Sequence, residues 1–272
     1  MTRLSRQLST ITALDLPGWS AGPADPDDFA AALEAGYEGV QVFLPDQAVA
    51  ARAAGMVDAS GIAPARTRDE VDAVLAMWSG GEASSVTLHL GTGFETESEG
   101  LALVEHTLAA ADRNGVPVLV ETHRATLFQD PARALSLVER FPELRLTADL
   151  SHWYTGAEMV YGDLDAKLDA LAPVFERSRM VHGRISDPGC IQVAVQTDDR
   201  SEHVEHFRRM WQAVICGCEA ADITVVPFVV ELLPAAAHYA RTVDRGDGPE
   251  EEVDRWTQAD ELWRIFAGLE MA

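Results

Sequence analysis

Eight times along this chain a short, largely apolar and β-branched run gives way to a longer segment rich in Ala, Leu, Glu and Arg. The runs are QLSTITAL (7–14), EGVQVF (38–43), GMVDASGI (55–62), SSVTLHL (84–90), VPVLVET (116–122), LRLTADL (144–150), SRMVHGRI (178–185) and ITVVPFVVEL (223–232). Stretches such as VPVLV and PFVV show no polar alternation. As strands they need both faces buried, which is the condition of parallel strands covered by helices. The intervening segments supply the covers: DPDDFAAALEAG opens on acids, DPARALSLVER carries Pro131 in its first turn, and ESEGLALVEHTLAAADRNG closes on Gly115. Eight such units in 272 residues predict a (β/α)8 barrel, one domain over 1–272. The rival open α/β sheet requires a glycine-rich phosphate turn after its first strand, and LDLPGWSAGPADP has no GxGxxG. Gly91-Thr92-Gly93 lacks the third glycine. Pro227, inside the eighth run, predicts a strand start or a bulge there. Residues 186–200 and 245–255 read as long irregular connections.

Charge narrows the partners. The chain carries 44 Asp and Glu against 21 Lys and Arg, a net charge of −23. Phosphate backbones and anionic lipid are repelled by such a surplus, and no local basic patch offsets it, so neither nucleic acid nor a membrane surface is expected as a partner. No run approaches the ~20 apolar residues of a membrane span, and the N-terminal stretch has no signal-type apolar core. Lys167 is the one lysine, in a charged helical stretch, which leaves a single donor for Schiff-base chemistry. Cys190, Cys216 and Cys218 are odd in number and lack zinc or redox spacing, as in a reducing cytoplasm. A cytoplasmic location is therefore expected. The sequence does not specify whether the chain forms a homo-oligomer.

Reactive groups of such barrels sit at the carboxyl ends of strands. Four of the predicted strands end in residues that bind metals: VLV runs into Glu121, LRLTA into Asp149, RMV into His182 and FVV into Glu231. One acid at a strand end is ordinarily a helix cap or an ion-pair partner. Four ligand types on one face form a joint pattern. Three carboxylates held together would repel and take up protons, whereas a divalent cation among them keeps them ionised. Three oxygens and one imidazole suit Mn²⁺ best, with Mg²⁺, Co²⁺ and Zn²⁺ as alternatives. Around this set, His89 ends the fourth run, and His123 follows Glu121 by two, so it shares that face if the strand continues. His152 and Arg184 lie just beyond Asp149 and His182. Each has a structural alternative: an interior or loop histidine, or an ordinary salt bridge. Trp19 and Trp153 could wall a sugar ring or simply pack. His203 and His206, three apart on a charged helix, read as solvated.

The runs VPVLVETHR, LTADLSHW, VHGRI and VVELLPAAAHY, together with AALEAGYEGVQVF, resemble the xylose-isomerase-like TIM barrels of the sugar phosphate isomerase/epimerase family. The most specific parts are the DxxH of Asp149 to His152 and the ordered Glu, Asp, His, Glu set. The resemblance covers most of the chain. It implies that Glu121, Asp149, His182 and Glu231 bind one divalent metal, that His152 and Arg184 contact substrate, and that Glu121 and Glu231 form the acid/base pair. There are departures. Gln41 stands where the family usually has Glu, Leu127 replaces a second glutamate of the ketose epimerases, and Arg184 lies nearer the histidine than their substrate arginine. These differences argue against a free ketohexose and leave the metal set intact.

The expected activity is isomerisation or epimerisation of a sugar-like polyol or keto compound through an enediolate, with proton transfer by metal-bound glutamates. The same first step serves a dehydratase or lyase on a related keto-sugar or cyclitol. A non-catalytic carbohydrate-binding barrel is the alternative outside enzymes. Phosphodiester cleavage of the endonuclease IV kind needs several zinc ions and a basic surface, against which the net charge speaks.

Overall fold

A computed structural model describes residues 2–20, 25–246 and 248–271. Its eight parallel strands are β1 (Arg3–Ser9), β2 (Gly39–Val42), β3 (Asp58–Ala65), β4 (Val86–Leu90), β5 (Val118–Glu121), β6 (Leu146–Ala148), β7 (Ser178–Gly183) and β8 (Val225–Val230). They close in chain order, β8 returning to β1, so no sheet edge of the barrel is left open. The expected (β/α)8 architecture is present, with helices such as Pro26–Glu34, Glu97–Asn114 and Glu202–Ala220 between the strands. Their ends follow local chemistry. The Asp25 carboxylate accepts from the Asp27 and Asp28 amides ahead of Pro26, Thr96 forms a reciprocal cap with Glu99, and Gly115 closes its helix at φ 64°.

Two strand expectations shift. β1 begins at Arg3 and ends at Ser9, where TITA turns into a helical segment, Thr10–Ala13. Arg3 and Arg6 hide it from a hydrophobic reading: Arg3 pairs with Glu38, and Arg6 lies 4.2 Å over the Tyr37 ring while pairing with Asp260. β3 likewise runs later than expected, through Pro64 to Ala65. At Pro227 there is neither a strand start nor a bulge. It lies within β8 opposite Ser5, and pairing with β7 begins only at the next residue, Val181 against Phe228. Proline's missing donor is therefore tolerated. The register shift in the barrel falls between β6 and β7, at Leu146 and Thr147.

Because side chains alternate across a strand, every second residue enters the barrel. Leu119, Met180 and Val229 form a small apolar cluster inside it. Polar contacts form another group: Gln41 Nε2 lies 3.3 Å from Thr87 Oγ1, which is 2.9 Å from Thr147 Oγ1. Two residues further along the same strands stand His89, Glu121, Asp149, His182 and Glu231, at the carboxyl end. The long connections beyond are fastened together there. Gln192 exchanges two hydrogen bonds with the Leu233 backbone, at 3.1 and 2.9 Å. The segment after β8 folds into an antiparallel hairpin of β9 (Thr242–Asp244) and β10 (Pro249–Glu251), so the stretch expected to be irregular at 245–255 is partly strand. Arg255 then ties the chain to the carbonyls of Ile11, Thr12 and Leu14. Among the described residues no helix is long and apolar enough to cross a membrane.

Candidate metal centre

Glu121, Asp149, His182 and Glu231 converge: one ligand atom from each lies within 4.8 Å of every other. The first three are 0% exposed and Glu231 is 6% exposed. His182 Nδ1 stands 3.5 Å from Glu121 Oε2 and 3.4 Å from Glu231 Oε2, yet neither contact is aligned as a hydrogen bond. Both nitrogens of His182 and Oε1 of Glu121 are buried without a hydrogen-bond partner. Buried polar atoms are seldom left so, and three of them gather in a cluster whose residues could hold a metal ion. Asp149 is positioned by its neighbours, since Oδ1 accepts from the Ser151 amide at 3.1 Å and from its hydroxyl at 2.5 Å.

Arg184, 1% exposed, reaches this cluster from beyond β7. Its Nη2 donates to Asp149 and, at 3.2 Å, to Glu231 Oε2, while Nε donates to Ser151 Oγ at 3.0 Å. With His182 deprotonated, as a ligand must be, three carboxylates against one guanidinium leave two negative charges, the complement of one divalent cation. Donor chemistry, burial and charge therefore all fit a metal ion. The electrostatics are those of a crowded acidic site. Burial works against the Glu121 carboxylate, but His89 and His182 outweigh it and hold its pKa well below the ordinary value. For His182 burial opposes the charged form, and the Glu231 and Glu121 carboxylates override it, raising its pKa well above the ordinary value. Burial raises that of Asp149, and Arg184 only partly offsets it.

The remaining candidates divide. His152, 2% exposed, places Nε2 3.5 Å from Asp149 Oδ2 and 3.9 Å from Glu121 Oε1. Burial, then His123 and Arg184, push its pKa well down and keep the ring neutral. His89 Nε2 lies 2.9 Å from Glu121 Oε2, and His123 stacks between His89 and His152 at centroid distances of 4.2 and 4.0 Å. Trp153 lies in the core, 1% exposed, its indole donating to the Phe128 carbonyl at 2.9 Å. Trp19 packs against Trp256, with ring centroids 6.4 Å apart. His206 is half-buried rather than solvated, and its Nδ1 bonds the Tyr154 hydroxyl at 2.9 Å. Sequence reasoning passed over Tyr239. The connection after β8 carries it to within 3.3 Å of His123 Nε2, and both Arg124 and Arg184 lie over its ring at 4.6 and 4.8 Å. Its position depends on a turn through His238 at φ 61°, which no strand-end rule would locate.

No family model and no curated protein matches the chain. Solved structures do. A D-allulose 3-epimerase from Methylomonas sp., in complex with D-allulose, superposes with a TM-score of 0.60 at 11% identity, over 100% of this chain and 97% of that one. The likeness is one of fold, the (β/α)8 barrel, and it extends to xylose-isomerase-like TIM barrels. Such a barrel from Mycobacterium smegmatis, in complex with magnesium, gives a TM-score of 0.58 at 10% identity over 100% and 97% of the two chains. A probable 3-DHS dehydratase involved in petrobactin synthesis, from Bacillus anthracis, gives 0.58 at 14% identity over 98% of each.

Proposed function

We propose that this xylose-isomerase-like barrel is a divalent-metal-dependent enzyme that moves a proton on a sugar-like α-hydroxy-carbonyl compound, as an isomerase or epimerase. The observation that carries the reading is the convergence of the buried Glu121, Asp149, His182 and Glu231, with three of their polar atoms unpartnered. Those four residues would hold one cation, and their oxygen-rich set suits Mn²⁺ or Mg²⁺. When bound, the ion supplies Lewis acidity that makes the carbon-bound proton of the substrate removable. Glu231, the more accessible of the two glutamates, takes that proton and leaves an enediolate; Glu121, ionised in the resting site, returns one after picking up a proton from solvent. Return at the same carbon from the opposite side is epimerisation, and return at the neighbouring carbon, with the hydroxyl proton passing to the former carbonyl oxygen, is isomerisation. His152, neutral and facing the carboxylates, offers a hydrogen bond to a substrate hydroxyl. Arg184 holds Asp149 and Glu231 in place. The epimerase and magnesium-bound relatives of this fold support the assignment. A dehydration would use the same proton abstraction, and the dehydratase among the similar structures keeps that outcome open as the second reading.

Two measurements test this. Glu231→Gln should abolish exchange of substrate hydrogen with deuterated solvent while the protein still binds Mn²⁺; unchanged exchange removes Glu231 from the proton transfer. Chelation should lower the melting temperature of protein purified with its metal, because an ion at a hundred times its Kd stabilises by about 2.7 kcal/mol. An identical melt after chelation, with no metal found by elemental analysis, would leave the binding barrel in place of the enzyme.

A further inference from the structure

Glu121 faces a second group of donors. His89 at the end of β4 and His123, two residues past Glu121, bring one nitrogen each to within 4.8 Å of a Glu121 oxygen and of each other. We propose that His89, His123 and Glu121 form a second divalent-cation site, with Glu121 bridging it to the four-residue site.

The geometry suits shared ligation. Two donors at ~2.1 Å from one ion lie about 3.0 Å apart at a right angle and about 3.4 Å apart at a tetrahedral one. His89 Nε2 and Glu121 Oε2 are 2.9 Å apart. The Nδ1 proton of His123 is directed to the carbonyl of Arg124, which leaves the Nε2 lone pair for another partner. A backbone carbonyl on the far nitrogen is the usual means by which proteins orient a metal-binding imidazole. Tyr239 hydroxyl, 3.3 Å from that Nε2, is the neighbour such an ion would displace or recruit. Glu121 has the capacity to bridge, because its Oε1 has no hydrogen-bond partner while Oε2 is engaged by His89. The two imidazoles now lie at 25° to each other, so capture of an ion tilts them out of their stack. The His89 side chain is 28% exposed and so borders solvent.

Chemistry separates the two sites. Three oxygens and one nitrogen favour Mn²⁺ or Mg²⁺, whereas two imidazoles and a carboxylate favour Zn²⁺, Co²⁺ or Fe²⁺. Charge ranks them. The first ion cancels the two surplus negative charges beside Arg184, so the second enters a site already neutralised and binds more weakly unless an anionic oxygen comes with it. Occupancy of the second site is thus tied to hydroxide or to an anionic substrate oxygen.

The inference rests on the metal reading of the first site only through Glu121, and the test keeps the two apart. Metal-free protein is titrated with Co²⁺ by calorimetry, with d–d absorption followed in parallel. Wild type should take up two equivalents, the second at least tenfold weaker, and His89→Gln and His123→Gln should each take up one. Asp149→Asn should lose the tighter equivalent and keep the histidine-dependent one. A single equivalent in wild type that persists in both histidine variants overturns the second site and leaves the first standing. A second equivalent untouched by His89→Gln and His123→Gln overturns it as well. Uptake of no Co²⁺ at all removes both readings. Circular dichroism melts establish that the histidine variants are folded.

Discussion

Arg184 is the residue on which the acidic cluster depends when no ion is bound. It is buried to 1% exposure and is the only guanidinium hydrogen-bonded to Asp149 and Glu231 among the described residues. Burial lowers its tendency to stay charged, but Asp149 and then Glu231 more than restore it, so its pKa lies above the ordinary value. Removing one member of a buried ion pair leaves the other uncompensated, at a cost of about 3–5 kcal/mol. Arg184→Met, similar in length, is expected to lose that much stability in urea unfolding, and saturating Mn²⁺ should recover more of it than the ion adds to wild type. Equal recovery in both proteins would mean that the ion and Arg184 do not share their carboxylates. From the sequence, Arg184 reads equally as a substrate contact or as a salt bridge. Its partners lie 35 and 47 positions away, and only the barrel's closure selects them.

The strands made the site legible. Interior positions recur every second residue, so the apolar runs that name a strand also place its terminal ligand, as Leu119 does for Glu121 and Val229 for Glu231. β1 escaped this logic because its arginines are satisfied by partners brought from Glu38, Tyr37 and Asp260, none of which local sequence identifies. Trp153 was equally hard to place, since a tryptophan five residues past β6 faces cavity or core according to the turn of the short helix Leu150–Gly156. Within β7, Gly183 is fixed by its neighbour across the sheet. An added Cβ would come within 2.5 Å of the Phe228 ring, which is itself stacked on Phe266 at 4.1 Å and cannot easily move. Overpacking of this kind costs about 1–3 kcal/mol. Gly183→Ala should therefore lower stability by that amount and, standing next to His182, weaken Mn²⁺ binding too. A melt and a titration indistinguishable from wild type would show that β7 yields to the methyl group.

Across the whole molecule, the eightfold rhythm of the chain pointed to the barrel, since eight strand-and-helix units in 272 residues match its size and the glycine-rich turn of a dinucleotide-binding open sheet is missing. The cover of its mouth was not legible. Gln192, Leu233, Tyr239 and Arg255 meet there from connections that carry no periodic signal, and their pairing emerges only once the strands have set the connections side by side. That cover has a kinetic consequence. With the four ligands between 0% and 6% exposed, an ion arriving from solvent is expected to wait for a local opening around them. Uptake should then level off as Mn²⁺ is raised in stopped-flow mixing, and stripping by a chelator should run at a rate independent of chelator concentration; a rate rising in proportion to either would describe an open mouth. Should uptake level off in this way, the protein would keep its ion through long passages in metal-poor surroundings, and its history of exposure, more than the momentary supply, would decide which ion it carries.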